Sequence, residues 1–482
     1  MRLAKLSLTL GISCLLAATA SAAGWKGAKI MPKSDQLTLQ VGGMVTGSVY
    51  DIGWPAVVED ADGRWLWLRD EGGYSARPVA GWVYADDVLK LEEARDYYTA
   101  LIGDQTPAWV YWLRGIYWEG QHEPGIAFSD YKNAADRDPE NRLEDVQIRL
   151  GRLTAQNLFQ NAPVHTLSND DRNQYEYHFN RVKNSSRPQL YLEWASALSM
   201  ACKCHQRAVN AEGTVLPTPA PNGEKPRGAA DAPAGNSTAS AKIGDKEIFD
   251  TARKDALEKL ATAKSLNKRW WRVPMAEAEM LLDLCQKESA DGAVEPNENV
   301  SAKDLARAEE CFDDAIALNP NSPDAYRDRA EVLRLQYQLA NLHFHLGAGA
   351  VNGITAEQRH LLQEAKQSAT TACNMTLFRQ PQCLKVLAEV CGDLQDKPKA
   401  AKYAKSAAEY ASEDDKDMMK KLGDKYVKDI DPKDPAAMAS AGAILYVPAG
   451  FNSGAAGATA ASAPKLELNY VDRSQSSYDV DH

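Results

Sequence analysis

Past its first 23 residues the chain has no stretch of about 18 consecutive apolar residues, the length a membrane-spanning helix needs. It also lacks blocks of basic residues, and its formal net charge is −11. An acidic chain without basic runs excludes nucleic acid and anionic membrane surfaces as expected partners. No serine sits in a G-x-S-x-G turn, and Gly347-Ala348-Gly349 is not followed by the Lys-Ser/Thr of a phosphate loop. The C-x-x-C-H spacing of haem attachment is missing. Cysteine and histidine are sparse, eight of each. The sharpest cluster of ligand-type residues is Cys202-Lys203-Cys204-His205. On a helix its two cysteines point about 200° apart, which keeps them off one metal ion. His343 and His345 are two apart on a helical stretch and do not face each other. The expectation is no catalytic group, no metal and no cofactor.

What is present begins with residues 1–23, which read as a secretory signal peptide. Arg2 and Lys5 supply the positive start, residues 6–16 the short apolar core, and Ala20-Ser21-Ala22 or Ser21-Ala22-Ala23 the small residues of a cleavage site. Losing Arg2 and Lys5 takes the net charge from −11 to −13. The expected mature protein is exported: periplasmic, envelope-associated or secreted. It keeps seven cysteines, an odd number, in a compartment that permits disulfides.

Residues 36–91 hold short runs rich in β-branched and aromatic residues: 36–41, 44–50, 56–59, 64–69 and 81–84. Gly42-Gly43, 60–63 and 71–73 punctuate them as turns. In Trp65-Leu66-Trp67-Leu68 alternate side chains face opposite ways, so one pair is buried and the other partly exposed. A glycine-aromatic start at 43–50, a tryptophan-bearing strand at 62–68 and the closing Gly81-Trp82-Val83 resemble bacterial Src-homology-3-like domains. The resemblance implies a small β-barrel whose aromatic surface binds peptides or cell-wall fragments. Trp54, Trp65, Tyr74 and Trp82 are then the candidate contacts; the alternative is that Trp65 and Trp82 fill a small core.

From Lys90 the periodicity becomes helical. Residues 91–101 form a bridging helix. Then Tyr111, Gly115, Trp118, Ala127, Tyr131, Ala134 and Pro139 occupy seven signature positions of one repeat. They resemble the tetratricopeptide family, whose helix hairpins stack into an open groove for other proteins. The same grammar returns at Ala308, Phe312 and Ala315, after Asn319-Pro320 at Tyr326, Ala330 and Leu333, and again at Leu384, Leu387, Ala388, Ala400, Ala404 and Ala407. The units divide as 107–139, 140–186, 188–268, 269–320, 321–376 and 378–413, with a capping helix at 416–427.

The fold class expected is therefore multidomain and mainly α. A signal peptide at 1–23 precedes a barrel at 36–91. Repeats at 92–211 and 245–430 flank a disordered linker at 212–244, and a disordered tail covers 431–482. The family resemblance implies ligand contacts on the concave side of first helices. Those positions are Trp109, Trp112 and Ile116 in the first unit, and Asp324, Arg327, Glu331 and Arg334 in the fifth. The last four also read as an ordinary charged helix surface. Cys373–Cys383 and Cys285–Cys311, on neighbouring antiparallel helices, are the expected disulfides; the alternative is that all seven thiols are buried and free. The function expected is a non-catalytic scaffold that binds a protein or peptide. The alternatives are a wall-active or metal- or haem-dependent enzyme, and a self-associating envelope component.

Overall fold

The structure, a computed structural model, describes residues 24–70, 74–75, 77–161, 165–213, 237–288, 294–297, 301–346 and 355–428. The expected signal peptide and tail, at 1–23 and 431–482, lie outside them.

The β unit is built from β1 (Lys29–Pro32), β2 (Thr38–Val41), β3 (Met44–Ser48), β4 (Ala56–Val57), β5 (Asp60–Asp62), β6 (Trp65–Asp70), β7 (Val79–Tyr84) and β8 (Val88–Lys90). One antiparallel sheet runs β4-β1-β8, the other β3-β2-β7-β6-β5. Gly42 and Gly43 make the β2–β3 turn with φ of 59° and 83°, a pair of positive angles that two glycines adopt without steric cost. Leu39, Leu66, Leu68 and Val83 point inward and are buried. The unit starts earlier than residue 36, because β1 pairs Ile30 with both Ala56 and Lys90 and closes the small sheet.

Fourteen helices follow among the described residues. They are α1 (Leu91–Ala100), α2 (Ala108–Gly120), α3 (Pro124–Arg137), α4 (Glu144–Phe159), α5 (Asn169–Arg181), α6 (Pro188–Gly213) and α7 (Ser237–Leu266). Then come α8 (Arg272–Cys285), α9 (Ala302–Leu318), α10 (Pro323–Leu346), α11 (Ala356–Met375), α12 (Pro381–Asp393), α13 (Lys397–Tyr410) and α14 (Glu413–Lys428). From α2 to α13 they pack as six successive hairpins, α2/α3 through α12/α13, with α14 laid on the last. The chain is thus a small β unit followed by a helical solenoid. Ends are set locally: Ser168 and Asp171 form a capping box for α5, Thr355 and Gln358 one for α11, and Pro124 and Pro381 open α3 and α12. Ala256, Ala308, Ala315, Ala330, Ala388, Ala400, Ala404 and Ala407 are fully buried, and their small side chains let neighbouring helices close together.

Helix α6 runs to Gly213 and α7 begins at Ser237, so the expected linker at 212–244 is shorter at both ends; residues 214–236 lie outside the description. A short antiparallel pair, β9 (Gln286–Glu288) and β10 (Val294–Pro296), interrupts the fourth hairpin between α8 and α9. The β unit, the first hairpin and α4 share one hydrophobic core that runs from Ile30 to Leu153. Tyr98 donates to the Pro32 carbonyl at 2.6 Å, and Tyr50 stacks on Trp112 at 5.6 Å.

Candidate functional site

The first helix of each hairpin puts polar residues on one stripe at helical spacing, such as Asp145 and Arg149 on α4 or Lys385, Glu389 and Asp393 on α12. Ion pairs join the stripes of α2, α4, α6 and α8 in turn, and those of α10 and α12. The stripe has three parts.

Its N-terminal part is sealed. The Arg149 guanidinium donates to Asp145 at 2.6 Å, to Glu119 of α2 at 2.9 Å and to the Tyr74 hydroxyl of the β unit at 2.8 Å. Arg152 pairs with Glu119 and lies 3.9 Å from Glu193 of α6. Tyr131 donates to Glu119 at 2.9 Å. Burial alone would raise the Glu119 carboxyl, yet Arg149 and Arg152 hold it down to about 2. Trp112, expected as a groove contact, is 2 % exposed and donates its indole N–H to Asp145 at 2.7 Å. Ile116 is equally buried, while Trp109 is half-buried at the edge of the same core. The β unit lies against this end and covers Trp112, which is why it cannot meet a ligand.

The middle part is open. Lys203 of α6 pairs with Asp283 of α8. On α10, Arg327 holds Asp324 and Asp328 at 2.6 Å each, and Gln380, the residue before α12, donates to Asp324 at 3.3 Å. The Asp324 side chain is 48 % exposed and Glu279 of α8 is exposed. Although its surface is accessible, Glu279 is flanked by protein; burial, then Asp328 and Asp283, push its carboxyl up to about 7. Two of the four expected fifth-unit positions, Asp324 and Arg327, are therefore reachable.

The other two are not. Glu331 and Arg334 are 4 % and 2 % exposed, because β10 covers them. Arg334 pairs with Glu331 at 2.7 Å, Glu389 at 3.2 Å and Asp393 at 3.4 Å. Burial, then Glu331, push the Glu389 carboxyl up to about 7 despite Arg334.

The four expected β-unit aromatics part company. Trp54 is a core residue that donates to the Val49 carbonyl at 2.7 Å, and Tyr74 faces the repeats. Trp65, 43 % exposed, and half-buried Trp82 share the outer face of the larger sheet. Trp67 and Tyr84 join them there, with edge-on pairs Trp65–Tyr84 at 5.0 Å and Trp67–Trp82 at 5.2 Å. The i, i+2 alternation of both strands carried that signal.

The expected bridges are not formed: Cys285, Cys311, Cys373 and Cys383 are free and buried. Cys311 faces Glu277, which stands eight residues, or about 12 Å of helix, before Cys285. The Cys383 thiol is turned to Gln380, at 3.2 Å. Cys202 faces the Phe249 carbonyl and Cys204 the His165 carbonyl, so the two diverge as a helix requires. Among the described residues no group of three or more His, Cys, Asp or Glu is arranged for a metal ion, and no helix is long and apolar enough to cross a membrane. A cavity of about 760 Å³, lined by Phe128, Lys132, Asp170, Tyr177 and His178 among others, opens among α3, α4 and α5.

No family model matches the sequence, and no curated protein does. Among solved structures the chain is similar to a tetratricopeptide repeat protein from Parabacteroides merdae ATCC 43184, at 11 % identity over 66 % of this chain and 98 % of that one, with a TM-score of 0.27. The TPR domain of P58(IPK) matches at 11 % identity over 70 % and 94 %, TM-score 0.19. Yeast Tom70 matches at 13 % over 72 % and 94 %, TM-score 0.15. At such scores these likenesses add nothing to what the chain's own hairpins establish.

Proposed function

We propose that this chain is an exported, non-catalytic scaffold that binds a protein or peptide partner along its first-helix stripe. The observation that carries the reading is the middle of that stripe. There Lys203 of α6 pairs with Asp283 of α8, Gln380 just before α12 reaches Asp324 of α10, and Asp324, Arg327 and Glu279 remain reachable. A surface assembled from several helices is long enough for an extended or helical segment and is largely fixed before binding. The outer aromatic face of Trp65, Trp67, Trp82 and Tyr84 is the second contact surface, with peptides or cell-wall fragments as its ligand class. Two modules on one chain add avidity when one partner engages both.

The test exchanges Asp324→Arg together with Arg327→Asp, which keeps the pair on α10 but inverts the charges offered outward. Affinity capture from an envelope fraction, read by mass spectrometry, should lose the partner seen with the unaltered chain. Lys254→Glu, 75 % exposed on α7, should leave capture unchanged. Capture indifferent to the exchange, or stoichiometric metal or peptidoglycan cleavage by the purified protein, overturns the reading. For export the support is the pattern of residues 1–23, and an N-terminus at Ala23 or Gly24 on the protein recovered from its source is the expected result.

A further inference from the structure

We propose that α10 and α12 form a site that reads a peptide main chain, and that β10 occupies it as the chain's own ligand in place of an extended segment of the partner. The inference rests on the scaffold reading above. Val294 is the residue held. Its N–H donates to Glu389 Oε1 at 3.2 Å, and its carbonyl accepts from Arg334 Nη2 at 2.5 Å. In an antiparallel pair a residue turns both main-chain groups toward its partner strand or both away. Val294 opposes Glu288 of β9, so the groups given to Glu389 and Arg334 are on the free edge of β10. Two side chains thus take the part of a third strand.

The chemistry of the grip supports recognition over mere adhesion. An arginine and two carboxyl groups, Glu331 and Glu389, are enclosed between α10 and α12, with a third, Asp393, at the edge. Apolar residues of similar volume would hold two helices together at least as well as such a network. What apolar residues cannot do is read an N–H and a C=O two bonds apart. The fit of β10 is also incomplete. Gln338 of α10 donates to Asp393 at 3.4 Å, but its own Oε1 is buried with no hydrogen-bond donor. The next residue along the free edge of β10 is Pro296, which has no N–H to give. A segment with an ordinary residue at that place brings one more donor than β10 has.

The test uses the full chain, its Val294→Pro variant, and two fluorescein-labelled peptides. One carries the sequence of residues 286–297; the other carries it with Pro296→Ala. Proline is tolerated at the first residue of a strand and removes the N–H that Glu389 accepts. A tethered segment competes at an effective concentration in the millimolar range. The unaltered chain should therefore bind either peptide at least tenfold more weakly than Val294→Pro does, and the Pro296→Ala peptide should bind the variant more tightly than its parent. Hydrogen exchange should show peptide-induced protection on α10 and α12, and far-UV circular dichroism should show the variant folded. Equal binding to both forms, absence of binding to the folded variant, or protection elsewhere overturns the inference. None of these results touches the partner capture and charge exchange at Asp324 and Arg327, which decide the scaffold reading separately.

Discussion

Replacing Trp112 separates a core residue from a groove contact. Its ring is 2 % exposed and lies on Tyr50 with an interplanar angle of 22°. Truncation of such a side chain to alanine costs about 3–5 kcal/mol, since transfer energy is lost and a cavity is left behind. The indole N–H given to Asp145 adds a smaller cost than the lost ring, because Arg149 still holds that carboxylate at 2.6 Å. Trp112→Phe keeps most of the ring and isolates the hydrogen bond, for a loss of about 1–2 kcal/mol. Trp109, three residues earlier on α2 and only half-buried, should cost about 1 kcal/mol or less as alanine. Urea unfolding followed by near-UV circular dichroism, which reports aromatic packing, gives the three midpoints. The order expected is Trp112→Ala lowest, then Trp112→Phe, then Trp109→Ala nearest the unaltered chain. A midpoint for Trp112→Ala no lower than that of Trp109→Ala would refute the reasoning.

Gly115→Ala should destabilise by about 1–2 kcal/mol, because the added carbon would lie 2.5 Å from Tyr131 and overpacking outweighs the gain in helix propensity. Tyr131 is fully buried and tied to Glu119, so its ring has nowhere to go, and a rise in thermal midpoint would contradict this. Glu389 and Glu119 give opposite pH limbs. Because the folded chain keeps a proton on Glu389 to about pH 7, against an ordinary 4.5, that group's stabilisation is full below 4.5 and lost as pH rises through 7, about 3 kcal/mol in all. Glu119, held down to about 2, stabilises above pH 4.5 and loses this as pH falls toward 2. Glu389→Gln should flatten the neutral limb and Glu119→Gln the acid limb of stability against pH; unchanged limbs would remove both assignments. In the unfolded, unreduced protein lacking residues 1–23, seven thiols should react with an alkylating agent, and five would reveal a bridge. In the folded protein the same thiols should react slowly, since burial pushes Cys202 and Cys311 up to about 12 and Cys285, Cys383 and Cys391 up to about 11.

The hairpins were legible because their cause is local and periodic. Ala308, Phe312 and Ala315 recur at helical spacing, and a small residue opposite a ring, as Gly115 opposite Tyr131, is a property of two positions in one hairpin. That Trp65 and Trp67 share one face was legible for the same reason, since alternation along a strand sets i and i+2 on the same side. The strands β1, β9 and β10 were not, because three or four residues carry too little periodicity and are held by partners far along the chain, as Ile30 is by Ala56 and Lys90. The charged network around Arg149 left only a faint trace, the i, i+4 pair Asp145 and Arg149, with Glu119 and Tyr74 brought in from elsewhere. The sequence by itself determined which residues lie on the stripe of each first helix. Which parts of that stripe stay open was decided by the tertiary structure alone: the β unit closes it over Trp112, β10 closes it over Glu331 and Arg334, and Asp324 is left reachable. Periodicity specifies the direction a side chain faces on its own helix, whereas cover depends on where a distant segment comes to rest.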